Sequence, residues 1–101
     1  MQEREVEKFL RDKCKEAGLT CWKMQSLSIR GFPDRMVICP DGRIYFVEVK
    51  GEGGRLSPLQ KVVIDRLRAN KCNVFIVTSI ESAKTFLEYV STESPDDLPS
   101  A

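Results

Sequence analysis

Two short apolar runs joined by a tight turn constrain this chain most. Arg35 to Cys39 and Ile44 to Lys50 flank Pro40-Asp41-Gly42-Arg43, in which Gly42 can take a positive φ. This pattern predicts a hairpin over 35–50. Side chains alternate along a strand, so Glu48 and Lys50 share one face and Val49 points to the other. Antiparallel pairing then brings Asp34, just ahead of the first run, beside Glu48 and Lys50. Three charged groups gather where the apolar pattern ends.

The other segments supply layers around that hairpin. Val6, Phe9, Leu10, Cys14 and Ala17 recur at helical spacing, so 3–17 reads as a helix stopped by Gly18. Residues 20–27 alternate weakly and predict a strand, with Trp22 expected in the core. Ser28 to Pro33 is a loop, and Gly51 to Arg55 a flexible one. Ser57-Pro58-Leu59-Gln60 opens a helix over 58–69, with Ser57 as N-cap, Pro58 at the first position and Gln60 closing a capping box. Leu59, Val62, Val63 and Leu67 form its expected apolar face. Val74 to Thr78 is a strand, reached by a crossover of βαβ length. A last helix spans about 80–90. The order is α-β-β-β-α-β-α, an α/β fold. Strands 44–50 and 74–78 are apolar on both faces, so the sheet needs helices on both sides. One domain is expected over 1–90, with a polar, disordered tail over 91–101.

Composition narrows the chemistry. The 101 residues carry 16 Lys and Arg against 15 Asp and Glu, a net charge of +1, so no global basic field marks a nucleic-acid binder. There is no histidine, which removes the commonest general base. The four cysteines form no Cys-x-x-Cys pair, which excludes an ordinary zinc site. Cys14, Cys39 and Cys72 sit in or beside apolar patterns, as reduced thiols of a cytoplasmic protein do. No apolar run approaches the ~20 residues that span a bilayer. The charged start, Met1-Gln2-Glu3-Arg4-Glu5, is no signal peptide. Neither a membrane nor a secreted setting is expected.

Any reaction must therefore use carboxylates, lysine, or a metal bound by such groups. Two carboxylates held together repel, and a cation relieves that repulsion. Mg²⁺ is a hard ion that takes oxygen ligands. Asp34, Glu48 and the carbonyl of Val49 can supply half of its shell. A third carboxylate on the first helix would complete it, with Glu7 better placed than Glu3, in direct contact or through water. Lys50 would stay protonated, orienting the attacking water or neutralising charge on a phosphorus under attack. Gln60 could touch the metal-bound water or the phosphate, or serve only as a cap.

A structural reading accounts for the same residues. Asp34 then caps a turn, and Glu48–Lys50 is a surface ion pair worth about 0–1 kcal/mol. On the first helix Arg4, Lys8, Arg11 and Lys15 form a basic stripe. It is either a phosphate-contacting face or a solvated one with i,i+4 pairs such as Glu7 with Arg11, each worth ~0.3 kcal/mol. Arg30, Arg35, Arg43, Arg55 and Lys61 lie near the loops around Asp34 and Glu48, as phosphate contacts or as scattered surface charge.

The ordered set Gly31-Phe32-Pro33-Asp34-Arg35, Tyr45-Phe46-Val47-Glu48-Val49-Lys50 and Gly54-Arg55-Leu56-Ser57-Pro58-Leu59-Gln60 resembles the virus-type replication-repair nuclease (VRR-NUC) domain. The likeness runs from Val6-Glu7 to the final helix, and is to the compact stand-alone version of phages and prophages. It implies a restriction-endonuclease-like, PD-(D/E)XK core with a mixed sheet, and phosphodiester hydrolysis dependent on Mg²⁺ or Mn²⁺. By motif, Asp34 and Glu48 would be metal ligands, Lys50 the catalytic lysine and Gln60 the motif glutamine. Glu7 maps best to the first-helix carboxylate. The resemblance further implies a homodimer acting on branched DNA in the host cytoplasm, foremost a Holliday junction. Flap or splayed-arm DNA, single strands or RNA, and a non-catalytic binding module that keeps the fold are the competing readings.

Overall fold

The computed structural model describes residues 1–24 and 29–92. Seven elements follow the expected order: α1 (Glu3–Glu16), β1 (Thr20–Lys23), β2 (Arg35–Ile38), β3 (Ile44–Val49), α2 (Pro58–Ala69), β4 (Asn73–Val77) and α3 (Ile80–Thr92). The strands form one sheet in the order β1-β2-β3-β4. β1, β2 and β3 pair antiparallel, and β4 joins β3 in parallel. The sheet is mixed because the β2–β3 connection is a tight turn, whereas α2 carries the chain back along the sheet before β4.

The turn closes through Gly42 N–H to the Cys39 carbonyl and Cys39 N–H to the Arg43 carbonyl, both 2.9 Å. Gly42 has φ 92°, the left-handed region that glycine reaches at low cost. Asp41 accepts from the Arg43 backbone and guanidinium, which ties the turn. Arg43 also donates to the Tyr45 hydroxyl and the Val90 carbonyl. It therefore joins the hairpin to α3, a structural task in place of the phosphate contact considered for it.

The two sheet faces differ. Tyr45, Val47 and Val49 of β3, with Val37 and Val77, meet Val6, Leu10 and Cys14 of α1 and Ala83, Phe86 and Val90 of α3 in one buried cluster. Tyr45, Phe75 and Phe86 pack there with ring centroids 5.1–5.9 Å apart. The opposite face carries Phe46, Glu48, Val74 and Ile76, and α2 packs on its β4 side. Helices thus cover both faces, as the apolar strands require.

Four expectations change. Trp22 is 59% exposed, not core. It stands beside Met36 on the α2 side of edge strand β1, where no described helix lies over it. The inward face of α2 is also rotated from the expected one. Ile64 is its buried residue, while Leu59 and Val62 are exposed. Val63 and Leu67 of the expected face are half-buried beside Ile64, on the same side of the helix as Gln60. β1 ends at Lys23, earlier than 27, and residues 25–28 lie outside the described residues. At the other end α3 continues to Thr92, so Ser91 and Thr92 of the expected tail are helical, and 93–101 lie outside the described residues.

The loop before β2 is fixed by one close approach. Gly31 has φ 83°, and a Cβ there would come within 3.0 Å of the Leu59 carbonyl oxygen. Phe32 then packs edge-on against Phe46 at 5.4 Å, and Pro33 is buried. Gly31→Ala is expected to lower stability by about 1–2 kcal/mol in urea unfolding, through both backbone strain and the clash with α2.

Candidate active site

Glu48 organises the site. Its side chain is 1% exposed, at the end of β3 where the sheet passes under the N-terminus of α2. Gln60 donates through Nε2 to Glu48 Oε2 at 2.9 Å, and Lys50 Nζ stands 3.4 Å from the same oxygen. Glu48 Oε1 is buried without a hydrogen-bond partner. Burial, and secondarily the charge of Asp34, push the Glu48 carboxyl up to about 7. The site therefore holds a carboxylate whose ionised form lacks compensation on one oxygen.

Asp34 reaches this place through strand register. Arg35 pairs with Val47, so the residue before Arg35 falls opposite Glu48. Asp34 Oδ2 accepts the Val49 backbone N–H at 3.0 Å, and the Asp34 carbonyl accepts from Met24 N–H at 2.8 Å. Asp34 is thus pinned to β3 on one side and to the end of β1 on the other. The expected meeting of Asp34, Glu48 and Lys50 is what the fold produces.

Gln60 combines two tasks that the sequence left as alternatives. Its Oε1 accepts from Ser57 N–H at 2.8 Å, and its own N–H donates to Ser57 Oγ at 3.1 Å, which completes the capping box. Its Nε2 remains for Glu48. The cap therefore fixes the amide orientation, with oxygen toward the backbone and nitrogen toward the carboxylate.

Glu7 lies elsewhere. Its Oε2 accepts from Arg35 Nε at 3.1 Å, across the α1 side of the sheet. Arg35 is 6% exposed. The ion pair replaces both the Glu7–Arg11 helix pair and the phosphate contact expected of Arg35. Among the described residues no three of the His, Cys, Asp and Glu side chains are grouped to hold a metal, so Glu7 does not stand with Asp34 and Glu48. Glu3 is an exposed residue of the first turn of α1. The long-range Glu7–Arg35 pair has no local sequence signal. A charged residue at an inward strand position was the only hint.

Arg4, Lys8, Arg11, Arg30, Arg55 and Lys61 are exposed. Lys8 bonds Asp12 at 2.7 Å. Arg30 and Lys61 each adjoin a residue of the Gly31–Leu59 approach or of the α2 cap, and Arg55 lies in the loop after Lys50.

Comparison with known proteins bears directly on this arrangement. Residues 1–81 match the model of the VRR-NUC domain. The chain belongs to the VRR-NUC family. A phage protein of the Acyrthosiphon pisum secondary endosymbiont phage 1, named "Putative nuclease p44", is 35% identical over 79 residues, covering 78% of this chain and 85% of that protein. A solved VRR-NUC domain superposes with a TM-score of 0.78 at 29% identity, over 86% of this chain and 95% of the other. The fold and the nuclease character read from the motifs both stand on these matches. Asp34, Glu48, Lys50 and Gln60 all fall within the matched VRR-NUC span.

The buried Oε1 of Glu48, beside a second carboxylate and short of donors, fits a hard cation. Asp34 and Glu48, with the Val49 carbonyl, are the groups that would hold it.

Two predictions follow from the cap and the carboxylate. Ser57→Ala should cost about 1 kcal/mol of stability through the lost cap but keep the Glu48 contact. Gln60→Ala should lose both, and activity should fall well beyond the stability effect when the two variants are assayed together. For Glu48, a folded value near 7 lies above the ordinary 4.5. Protonation then favours the folded state. This contribution is complete below about pH 4.5 and lost as pH rises through about 7. With chelator present, denaturant unfolding should show stability falling across that window by on the order of 3 kcal/mol. The slope should be absent in Glu48→Gln.

Proposed function

We propose that this chain is a divalent-metal-dependent endodeoxyribonuclease selective for branched DNA, foremost a four-way junction, and that it acts as a homodimer. The observation that carries the proposal is the Asp34–Glu48 pair with its unpartnered buried oxygen, in a chain of the VRR-NUC family. Mg²⁺ or Mn²⁺ would supply Lewis-acid polarisation of the scissile phosphate and a more acidic bound water. Asp34 and Glu48 contribute negative oxygens in fixed positions, with the Val49 carbonyl as the neutral ligand. Lys50, 3.4 Å from Glu48, carries its donors at the rim of the pair. There it orients the attacking water or stabilises charge on the phosphoryl oxygens. Gln60 holds Glu48 in one rotamer and presents an amide beside it. Glu7 acts at one remove, by fixing Arg35 next to Asp34.

Arg30, Arg55 and Lys61 flank these groups and are the proposed phosphate contacts, with Arg4, Lys8 and Arg11 as a second basic face. Such contacts position the duplex without reading its sequence. The homodimer is part of what the likeness to stand-alone VRR-NUC domains implies. A two-fold dimer carries two sites, which suits the approximate two-fold symmetry of a four-way junction.

The test is cleavage of end-labelled four-way junction, flap, duplex and single strand, with Mg²⁺, Mn²⁺ or chelator. Metal-dependent cutting of branched DNA is expected, in paired symmetric nicks on the junction. Asp34→Asn and Lys50→Ala should each reduce the rate by about 10²–10³-fold while junction binding persists. A folded wild type that binds the junction and never cuts would leave the binding-module reading. A mass of one chain by light scattering with junction bound would overturn the dimer.

A further inference from the structure

Lys50 is followed by a glycine-rich loop, Gly51-Glu52-Gly53-Gly54. Three backbone hydrogen bonds tie it down. The Lys50 N–H donates to the Val77 carbonyl at 2.8 Å, which holds the end of β3 to β4. The Gly54 N–H donates to the Gly51 carbonyl at 2.9 Å, which folds the chain back toward Lys50. The Glu52 N–H donates to the Met1 carbonyl at 2.9 Å, so the segment leading into α1 lies against this turn.

Two of these glycines stand where a side chain has little room. A Cβ on Gly51 would fall 2.7 Å from the Glu3 backbone nitrogen and 3.3 Å from the Met1 carbonyl oxygen. Both are backbone atoms at the start of α1, so either the helix or the loop would have to move. A Cβ on Gly54 would fall 3.0 Å from the Gly51 carbonyl oxygen and 3.1 Å from Lys50 Cβ. That position touches the stem of Lys50 itself. Neither Gly51 nor Gly54 has a positive φ, so close approach, and not backbone conformation, is what asks for glycine there. Gly18 is the opposite case, with φ 77° and nothing within 4 Å of an added Cβ.

We propose that Gly51 and Gly54 are positioning residues for Lys50. The missing side chain at 51 lets the start of α1 seat against the loop, and the one missing at 54 lets the turn close on the lysine stem. With the hydrogen bond to β4, these contacts fix the base from which the side chain extends. Nζ then stands 3.4 Å from Glu48 Oε2, with the Lys50 side chain 18% exposed. A flexible four-carbon stem is otherwise free to swing into solvent. A small displacement of Lys50 Cβ is carried along that stem to the amine. The start of α1 is thus a stop behind the site, although it lies outside the Asp34–Glu48 pair. The consequence for cleavage rests on the nuclease reading of Lys50 proposed above, whereas the placement of the amine does not.

The experiment compares the full chain with Gly51→Ala, Gly54→Ala and Gly18→Ala, the last a control that strains the backbone away from Lys50. Limiting acetylation with acetic anhydride, in chelator, followed by peptide mapping gives the rate at Lys50 relative to exposed Lys61 of the same chain. Single-turnover cleavage of the four-way junction in Mg²⁺, and junction affinity in Ca²⁺, complete the comparison. In Gly54→Ala the relative rate at Lys50 should rise several-fold as the amine leaves Glu48. Cleavage should fall by about 10–10²-fold at unchanged junction affinity. Gly51→Ala should act in the same direction, and if it does not fold, Gly54→Ala decides alone. Gly18→Ala should lose stability in urea and keep both the Lys50 rate and cleavage. An unchanged Lys50 rate in folded Gly54→Ala overturns the proposal, and so does an equal change in Gly18→Ala. If the wild type cuts no DNA, the nuclease reading fails and the acetylation rates still decide the positioning.

Discussion

A carboxylate buried at the end of a strand is costly, and the placement of Glu48 governs much of the local structure. With one oxygen held by Gln60 and Lys50 and the other unpartnered, its charge is only partly compensated. The fold tolerates this because the surrounding contacts hold it there. The β2–β3 register sets Asp34 opposite it, and the β3–β4 register sets Ile76 beside it. The α2 N-terminus lies over it through a side chain that is also part of the helix cap. Moving any of these elements would change the environment of the carboxylate first.

The double engagement of Gln60 marks the face that α2 turns to the sheet. Hydrophobic periodicity alone would turn Leu59, Val62, Val63 and Leu67 inward. In the structure Gln60 faces the sheet, Ile64, one turn on, is the buried anchor, and Val63 and Leu67 are half-buried beside it. Leu59 and Val62 are left exposed. Val63, Ile64 and Leu67 share the Gln60 side of the helix, so the carboxylate contact and the buried apolar stripe lie on one face.

What was legible in the sequence was whatever had a local cause. The hairpin followed from the Pro40–Arg43 turn between two apolar runs, and α2 from Ser57, Pro58 and Gln60. The Asp34–Glu48–Lys50 grouping was legible too, because antiparallel register follows from the turn. Contacts between distant segments left no such mark. The Glu7–Arg35 pair joins a helix surface to an inward strand position 28 residues away. The exposure of Trp22 depends on how far α2 extends over the sheet, which β1 cannot encode.

The division between the two sheet faces has a mechanical consequence for the site. The α1 and α3 side is a continuous apolar cluster that fixes β3 through Tyr45, Val47 and Val49. Alternate residues of the same strand, Phe46 and Glu48, face α2. Displacing Glu48 therefore requires breaking the packing of its neighbours on the opposite face. On the α2 side, the Phe32–Phe46 contact and the approach of Gly31 to Leu59 hold the loop that delivers Asp34. Arg35, next in sequence, is tied to α1 through Glu7. Mutual repulsion of the two carboxylates is thus opposed from both faces of the sheet. Preorganisation of this kind keeps a charged pair assembled before its counter-charge arrives, so that little reorganisation remains for the moment of reaction.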